Sequence, residues 1–460
     1  MLKFEHKDIL NALGGACDFK GIPPTGRMAV TTDTRKLCQG DLFVGLRGGD
    51  TPEVAEKARL CGAAACLVSC EINSGIPCYR VVDTIKALQD LAAYQRARVE
   101  IPMIGVTGSC GKTTTKNLLG SILGVLGETL VTEGNLNNEI GLPLTLLRLG
   151  EEYAYAVVEM GMNHKGEILR LSRLARPDAA VITNVGSAHI EYLGSRENIA
   201  EAKAEIFRGV PPCGTVALPY SCDFFEKLAK MAGQLSLNVI SFGPGGDVEF
   251  SIREEGKDGL RGVLKTPKGE IEILAPLIGA YNALNVAAAA AGALALIKDV
   301  SLETLKKGLE KARGEKLRNE IHKYEGATVI LDCYNANPDS LTASLNMLKD
   351  LKTDGRKIAF LGDMLEIGDT AEEAHKRCGA LAASIVDTLF IIGENAEHYA
   401  AGARSAKPGL AVEILDPATA ASRLAACVRK DDLVLFKGSR ANKLEEFFYE
   451  MEKTKDGKNK

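Results

Sequence analysis

Residues 105–114, Gly-Val-Thr-Gly-Ser-Cys-Gly-Lys-Thr-Thr, have the types and spacing of a loop that binds phosphate groups. The loop follows a strand predicted over residues 101–106 and precedes a helix predicted over residues 112–126. Its glycines let backbone N–H groups converge on phosphate oxygens, and the helix N-terminus adds partial positive charge. The residues expected to bind the nucleotide here are Gly108, Ser109, Gly111, Lys112, Thr113 and Thr114.

In this interpretation the Lys112 ammonium reaches the β- and γ-phosphates, and the Thr113 hydroxyl binds Mg²⁺. The general phosphate-loop pattern places a glycine where this chain has Val106, so the loop is a narrower variant. The alternative is a glycine-rich turn between a strand and a helix, with a lysine on the surface.

Three further polar residues, Glu159, His189 and Asp332, each follow a predicted strand. Ligands of open parallel sheets bind at the carboxyl ends of strands, and a carboxylate beside a phosphate loop suits Mg²⁺. Each residue also has a structural interpretation, because Glu159 can cap a helix and His189 can be a hydrogen-bonded core histidine. The spacing around Lys203 by itself indicates a solvated helix lysine.

The elements that must position these residues are strands and helices that alternate along the chain. This pattern predicts an α/β protein whose parallel sheets are covered by helices. We expect a small α/β domain over residues 1–98 and a central doubly wound parallel sheet over residues 99–314. A Rossmann-like α/β domain is expected over residues 315–460. Alternating residues between 215 and 274 predict an antiparallel annex to the central sheet, and the Ala-rich run 283–297 predicts a buried helix.

Composition narrows the class of protein. The 460 residues are 46% hydrophobic and 25% charged, with a net charge of −4, which is typical of a soluble globular chain. No basic excess favours nucleic acid or anionic lipid as a partner. The 12 cysteines form no CxxC pair, and the start lacks an apolar signal segment. We expect a cytoplasmic protein, monomeric and without membrane insertion.

A series of strings along the chain resembles the Mur ligases. The resemblance runs from about residue 30 to residue 445. The Asn-rich segment 334–338, together with GNLNNEIG, resembles the branch of the family that adds D-alanyl-D-alanine. The matching strings are TGSCGKTTTK, EGNLNNEIGLPLTLL, EMGMNHKGEI, NVGSAHIEYLGS, EAKAEIF, YNALNVAAA, DCYNANPDS, LGDMLEIG and KGSR.

This resemblance implies an ATP-dependent amide ligase of cell-wall peptidoglycan precursor synthesis. ATP would phosphorylate the terminal carboxylate of UDP-N-acetylmuramoyl-tripeptide, and the amine of D-alanyl-D-alanine would attack the resulting acyl phosphate. A tetrahedral intermediate would then release phosphate. The family also implies two Mg²⁺ ions, with Thr113 and Glu159 holding one, and His189 and a carbamylated Lys203 holding the other.

The resemblance implies further contacts in three places. Arg318 would reach the γ-phosphate, and Asn282, Asp332 and Tyr334 would contact the adenine or ribose. The residues implied for the peptide and sugar substrates are Asn335, Asn337, Ser340, Lys437 and Ser439 for the dipeptide, and Thr34, Arg35, Asn137 and Asn138 for the UDP-linked substrate. For the dipeptide group, ordinary turn chemistry is the alternative.

One departure from the family affects the first domain. An FDGH-like string is absent, and residues 47–52 replace it, so the loop that would help enclose the uridine or sugar is shortened or altered. The sequence leaves open whether the tripeptide ends in lysine or diaminopimelate. Three other functions stay open: a sister ligase that adds a different amino acid, a nucleotide switch without ligase activity, and a non-catalytic carbohydrate–nucleotide binding protein.

Overall fold

Most strands are short runs of apolar residues in which apolar and polar side chains do not alternate. Such strands are buried on both faces of their sheet, and helices must pack on both sides. The computed structural model describes residues 3–46, 48–72, 75–256 and 258–458, and it arranges the strands of these residues in four sheets. Two of the sheets have six strands each and are parallel-dominated. The predicted α/β fold class is therefore confirmed.

The N-terminal unit, residues 3–98, contains a mixed five-stranded sheet. Its strands are β1 (Asp18–Lys20), β2 (Val30–Thr31), β3 (Leu42–Val44), β4 (Ala65–Val68) and β5 (Cys78–Arg80), in the order β1-β5-β4-β3-β2. Only β1 runs antiparallel to its neighbour. Its α-helices are α1 (His6–Leu13), α2 (Pro52–Leu60) and α3 (Thr84–Arg98). Of the altered loop predicted at residues 47–52, Arg47 lies outside the described residues.

The central unit contains a fully parallel six-stranded sheet. Its strands are β6 (Met103–Thr107), β7 (Thr129–Val131), β8 (Tyr155–Glu159), β9 (Ala179–Ile182), β10 (Thr215–Pro219) and β11 (Asn238–Phe242), in the order β11-β10-β9-β6-β8-β7. The strand that precedes the phosphate loop, β6, is buried along its whole length between β9 and β8.

Helices cover both faces of this sheet. They are α4 (Lys112–Leu123), α5 (Gly141–Leu146), α6 (Glu167–Ala175), α7 (Ile190–Leu193), α8 (Arg196–Ala204), α9 (Phe225–Gly233), α10 (Asn282–Leu296) and α11 (Leu302–Lys311). The helix predicted to reach residue 126 ends at Leu123, where Gly124 caps it. The buried Ala-rich helix is confirmed as α10. No helix within the described ranges is both long and apolar enough to cross a bilayer.

The antiparallel annex is smaller than predicted. Only β12 (Glu249–Gly256), β13 (Gly259–Thr266) and β14 (Gly269–Ala275) pair antiparallel. The prediction was wrong for β10 and β11, which pair parallel within the central sheet. The reason is that α9 connects these two strands and provides the crossover that parallel pairing requires. The residues from Val216 to Pro219 are also buried in succession rather than in alternation.

The C-terminal unit contains the second six-stranded sheet. Its strands are β15 (Glu320–Tyr324), β16 (Ala327–Leu331), β17 (Lys357–Leu361), β18 (Thr388–Ile391), β19 (Ala411–Ile414) and β20 (Leu433–Lys437), in the order β15-β16-β20-β17-β18-β19. All neighbours are parallel except β15 and β16. The last strand, β20, lies between β16 and β17. The helices are α12 (Pro338–Asp350), α13 (Ala371–Ala383), α14 (Ala396–Ala406), α15 (Ala420–Cys427) and α16 (Leu444–Lys458).

One hydrophobic core joins the N-terminal unit to the central unit. Leu88 and Leu91 of α3 belong to the same buried cluster as Leu146 of α5 and Leu171 of α6. The predicted domain boundaries fall between α3 and β6 and between α11 and β15, and they remain predictions. Apolar contacts cross the first boundary, because α3 packs against the helices α5 and α6 of the central unit as well as within its own unit.

Arg96 reinforces this junction with hydrogen bonds. It is only 8% exposed, and its guanidinium donates to the carbonyls of Ala175 at 2.9 Å, Arg176 at 3.1 Å and Val99 at 2.7 Å. Two of these carbonyls lie at the C-terminus of α6, where backbone oxygens have no partner within the helix. Arg96, which belongs to the N-terminal unit, therefore supplies hydrogen-bond donors to the free carbonyls at the C-terminus of α6 in the central unit.

We expect Arg96→Met to lower the free energy of unfolding by about 3 kcal/mol. The methionine keeps an apolar stem of similar length but leaves buried carbonyls without donors. Denaturant unfolding, followed by circular dichroism, measures the change. The matched control is Arg173→Met on the exposed face of α6, which is expected to change stability by less than about 0.5 kcal/mol. Equal effects of the two substitutions would contradict the role of Arg96.

Candidate active site

The phosphate loop connects β6 to α4, and its path depends on two glycines. Gly108 has a φ of +155°, and Gly111 has a φ of +78° immediately before Lys112, the first residue of α4. A Cβ on Gly108 would overlap the Thr183 hydroxyl, and a Cβ on Gly111 would overlap the side-chain oxygen of Asn285. Any larger residue at either position would displace the loop.

Asn184 holds the tip of this loop. Its Oδ1 accepts hydrogen bonds from the backbone N–H of Ser109 at 2.9 Å and of Cys110 at 2.8 Å. The hydroxyl of Ser109 in turn accepts from the N–H of Gly186 at 2.9 Å. The segment that follows β9 is therefore hydrogen-bonded directly to the phosphate loop.

Two lysines place their ammonium groups in the cavity beside the loop. The Nζ of Lys112 donates to the carbonyl of Gly108 at 2.9 Å, and burial lowers the pKa of Lys112. Lys203 on α8 is 1% exposed. Burial, together with the nearby charge of Lys112, lowers the pKa of Lys203 well below its ordinary value. Both effects disfavour the charged form of the amine.

The interpretation of Lys203 as a solvated helix lysine was wrong. On α8 it lies one turn after Ile199, and both residues are on the buried face of the helix. Spacing alone pointed the wrong way because lysine is seldom buried in proteins. A lysine on the buried face of a helix needs a local reason, and here that reason is the cavity beside the phosphate loop.

Glu159, at the end of β8, faces the side chain of Thr113 in the first turn of α4 rather than the backbone N–H groups that a capping residue accepts from. Its Oε2 accepts from the Thr113 hydroxyl at 2.9 Å, and its Oε1 accepts from Nδ2 of Asn137 at 2.7 Å. The residue is 2% exposed. The carboxylate is thus fixed by side chains, and the helix-capping interpretation does not apply.

The side-chain oxygens of Glu159 and Thr113 are of the kind that binds Mg²⁺. Within the described residues, no group of three or more His, Cys, Asp and Glu side chains is arranged to hold a metal ion by itself. Mg²⁺ does not need such a cage, because it binds through one or two carboxylates together with waters and substrate phosphates. Thr113 and Glu159 can supply two oxygens beside the phosphate loop. An unmodified Lys203 supplies no oxygen ligand.

His189 lies in the segment between β9 and α7, immediately before the first residue of α7. Its backbone φ is +63°. Its Nδ1 is 3.2 Å from Oε2 of Glu366 but off the angle of a good hydrogen bond. Burial, with the charges of Lys112 and Lys203, lowers the pKa of His189 to about 4. The imidazole is therefore neutral near pH 7, which is the form that can bind a metal ion.

Helix α12 of the C-terminal unit points its N-terminus at the phosphate loop. The Oδ2 of Asp339 accepts from the N–H and the hydroxyl of Ser187, both at 2.9 Å. Nδ2 of Asn337 lies 3.6 Å from the thiol of Cys110. The two units thus meet through polar contacts across the cavity.

Deeper in the C-terminal unit, charged groups are already paired. The Nζ of Lys437 is 2.8 Å from Oδ2 of Asp332 and donates to the carbonyl of Asn335 at 2.9 Å. The guanidinium of Arg318 lies 4.2 Å from the centroid of the Tyr334 ring. Asp332 and Lys437 neutralise each other, while Arg318 and Tyr334 stack at the cavity wall.

Asn337 and Ser340 share a turn at the start of α12. The N–H of Ser340 donates to Oδ1 of Asn337 at 2.8 Å, and the N–H of Asn337 donates to the hydroxyl of Ser340 at 3.0 Å. This is a reciprocal cap of the helix N-terminus. The turn interpretation therefore describes part of their role, and both side chains also border the cavity.

One cavity of about 570 Å³ brings most of the predicted residues together. Three do not line it: Thr34 and Arg35 in the N-terminal unit, and Ser439, whose hydroxyl accepts from the N–H of Leu365 at 3.0 Å. The predicted residues that line the cavity are Gly108, Ser109, Gly111, Lys112, Thr113, Thr114, Asn137, Asn138, Glu159, His189, Lys203, Asn282, Arg318, Asp332, Tyr334, Asn335, Asn337, Ser340 and Lys437.

Sequence reasoning missed four residues that shape the site. Asn184 fixes the loop tip, Asn285 lies under Gly111, and Asp339 docks on the segment after β9. Lys116, one turn after Lys112, is 1% exposed beside Glu159. A signal existed for Asn184, because it follows a strand just as Glu159 does. For the other three, only the packing of distant segments reveals the role.

Comparisons with known proteins agree with this geometry. The sequence profile of the Mur ligase middle domain matches residues 106–293, and that of the Mur ligase glutamate ligase domain matches residues 317–440. UDP-N-acetylmuramoyl-tripeptide–D-alanyl-D-alanine ligase of Escherichia coli is 36% identical over 91% of this chain and 92% of its own length. The ligase of the same name from Bacillus subtilis is 38% identical over 97% of this chain and 98% of its own length.

Solved structures give the same result for the fold. MurF of Acinetobacter baumannii superposes with a TM-score of 0.89 at 34% identity, covering 98% of each chain. MurF of Thermotoga maritima in complex with ADP superposes with a TM-score of 0.78 at 27% identity, covering 93% of this chain and 97% of that one. The chain belongs to the Mur ligase family, in its MurF branch.

Proposed function

We propose that this chain uses ATP to join D-alanyl-D-alanine to the terminal carboxylate of UDP-N-acetylmuramoyl-tripeptide, in peptidoglycan synthesis. Relatives that bear this ligase name align over nearly the whole chain. The observation that carries the proposal is the single cavity in which the phosphate loop, Glu159 and Lys203 face residues 335–340 of the C-terminal unit. A ligase needs such a space, because nucleotide, acid and amine must meet there.

The reaction has two chemical steps. An oxygen of the tripeptide carboxylate attacks the γ-phosphorus of ATP, which gives an acyl phosphate and ADP. The free amine of D-alanyl-D-alanine then attacks the carbonyl carbon to form a tetrahedral intermediate. That intermediate loses phosphate and a proton to leave the new amide. Both steps depend mainly on charge neutralisation and positioning.

The residues of the phosphate loop supply the charge for the first step. Backbone N–H groups at the start of α4 and the ammonium of Lys112 bind the β- and γ-phosphates, and Arg318 approaches the γ-phosphate from the C-terminal unit. Asn282, Asp332 and Tyr334 are assigned to the adenine and ribose. Because Asp332 is paired with Lys437, it accepts a ribose hydroxyl as part of a neutral pair.

Thr113 and Glu159 would hold one Mg²⁺, and His189 with a carbamylated Lys203 would hold the second. When bound, such ions neutralise charge that develops on the transferred phosphoryl group. The neutral imidazole of His189 is the form that binds a metal ion, and hydrogen bonds from Thr113 and Asn137 hold the side chain of Glu159 in place. Thr113 already donates its hydroxyl proton toward Glu159, which leaves its oxygen lone pairs directed to the cavity.

The low pKa of Lys203 supports carbamylation. A neutral amine nitrogen attacks carbon dioxide, a C–N bond forms, and one proton is lost to give a carbamate anion. The buried, charge-crowded site that disfavours an ammonium ion would favour an anion, because Lys112 lies nearby. The same site would be poorly suited to an unmodified lysine.

The remaining assignments concern the acid and amine substrates. Asn335, Asn337, Ser340 and Lys437 border the cavity and are assigned to the dipeptide, with Ser439 behind them as a support of the loop at residue 365. Asn137 and Asn138 are assigned to the UDP-linked substrate. Thr34 and Arg35 lie in the N-terminal unit and would contact the same substrate at its nucleotide end. We also propose a cytoplasmic monomer.

Phosphate release from ATP and Mg²⁺ tests the function directly. We expect release to require both UDP-N-acetylmuramoyl-tripeptide and D-alanyl-D-alanine, and mass spectrometry to detect the pentapeptide product. Release with a single amino acid in place of the dipeptide would indicate a sister ligase. Release that is indifferent to both substrates would indicate a nucleotide switch. Substrate binding without any phosphate release would indicate a non-catalytic protein.

We expect Lys203→Ala to lower kcat at least about 100-fold, because a charged group is lost at the reacting phosphate. Millimolar acetate or formate is expected to restore part of the activity, since a small carboxylate can occupy the space of the carbamate. The matched control is Lys230→Ala, an exposed lysine of α9, which should retain full activity. Full activity of Lys203→Ala would remove Lys203 from the mechanism.

A further inference from the structure

Lys116 is a buried charged residue that the mechanism above does not use. It lies one turn after Lys112 on α4, and its side chain is 2% exposed. Its Nζ donates to the carbonyl of Thr132 at 2.7 Å. The same Nζ lies 4.0 Å from Oε2 of Glu159 and 3.9 Å from Oε2 of Glu315. One ammonium group thus stands between two carboxylates that come from different parts of the chain.

The first carboxylate belongs to the proposed metal site. Glu159 is already bonded to Thr113 and Asn137 through its two oxygens. Its backbone N–H donates to the hydroxyl of Thr132 at 3.0 Å, and Thr132 is the residue whose carbonyl accepts from Lys116. Lys116 therefore interacts with Glu159 directly, through charge attraction, and indirectly, through hydrogen bonds that both residues make to Thr132. Both interactions hold the end of β8 against α4.

The second carboxylate belongs to the junction between the central and C-terminal units. Glu315 lies in the segment that joins α11 to β15. Its Oε2 also accepts from Nδ2 of Asn117 at 3.0 Å, so two consecutive residues of α4 hold it. Three residues later the same segment carries Arg318, which stacks on Tyr334 of the C-terminal unit.

We propose that Lys116 is a positioning residue that ties the metal-site carboxylate Glu159 and the junction residue Glu315 to the phosphate-loop helix. Through this tie the phosphate loop and the junction that carries Arg318 are held at a fixed separation. The phosphate loop and Arg318, which form the two halves of the proposed nucleotide site, are then already aligned before the nucleotide binds. This inference rests on the proposed nucleotide site and adds the residue that holds its two halves together.

Charge balance favours this role over one in packing alone. Burial of an ammonium group is unfavourable unless it is paired and hydrogen-bonded, and an apolar side chain of the same length would fill the space without that penalty. Burial lowers the pKa of Lys116, while the charges of Glu159 and Glu315 oppose that shift. The lysine is therefore matched to the two carboxylates that flank it.

A mutant cycle between Lys116 and Glu315 tests the proposal with ADP as the probe. We expect Lys116→Met and Glu315→Gln each to weaken binding of ADP with Mg²⁺ about tenfold in calorimetry. The double variant is expected to bind ADP no more weakly than Lys116→Met alone, because both changes break the same tie. ADP binding is measured without the peptide substrates. A negative result in this experiment can therefore be distinguished from a wrong assignment of the ligase activity.

Hydrogen exchange gives a second readout that does not depend on the nucleotide. The amides of residues 312–319 are expected to exchange faster in both single variants than in the unchanged protein. Lys311→Met, the same substitution at an exposed lysine next to the junction, is the control and should change neither exchange nor ADP affinity.

Two results would overturn the proposal. One is an unchanged ADP affinity in Lys116→Met with only a lower melting temperature, which is the result of a packing role. The other is full additivity of the two substitutions. If Lys116→Met does not fold, Glu315→Gln decides alone, since Glu315 is 21% exposed and glutamine keeps its shape. Unchanged ADP affinity and unchanged exchange in that variant would likewise exclude the tie.

Discussion

Burial of positive charge around one short loop is the constraint on which the rest of this structure depends. Lys112, Lys116 and Lys203 all lose most of their contact with water within a small volume. An unpaired ammonium group in such a place is strongly unfavourable. The surrounding elements therefore supply compensation: carbonyls of Gly108 and Thr132, and carboxylates from a strand end and from the junction. Lys203 has no comparable hydrogen-bonded or ion-pair partner within the described residues.

The two boundaries between the units combine apolar packing with polar contacts in different ways. The N-terminal and central units share one apolar core, and Arg96 adds hydrogen bonds to backbone carbonyls there. The C-terminal unit meets the central unit through Ile278 and Tyr281, which pack into its core, and through polar contacts across the cavity such as that between Asp339 and Ser187. Separation of an apolar core exposes hydrophobic surface to water, whereas polar groups can exchange one another for water at little penalty. The polar contacts across the cavity are therefore the part of either boundary that water can replace most easily.

The sequence predicted those features that depend on local pattern. The phosphate loop was recognisable because glycine positions, a preceding apolar run and a following helix are all encoded within residues 101–126. The α/β class followed from the alternation of strands and helices. Lys203 was different, because its burial depends on which face of α8 packs inward, and helix spacing alone gave the wrong answer. The parallel pairing of β10 with β11 was also missed, since a short strand carries little information about its neighbour's direction. Resemblance to a family, rather than spacing, indicated the role of Lys203.

The position of β20 in the C-terminal sheet has a consequence for how the chain is made. This strand lies between β16 and β17, yet it spans Leu433–Lys437 and follows both of them along the chain. During synthesis on the ribosome, β16 and β17 emerge long before the strand that must separate them. The sheet cannot reach its final order until β20 has left the exit tunnel. The N-terminal and central units can pack earlier, because their shared core ends well before that point. The half of the cavity that faces the phosphate loop is therefore assembled last, only after β20 has been synthesised.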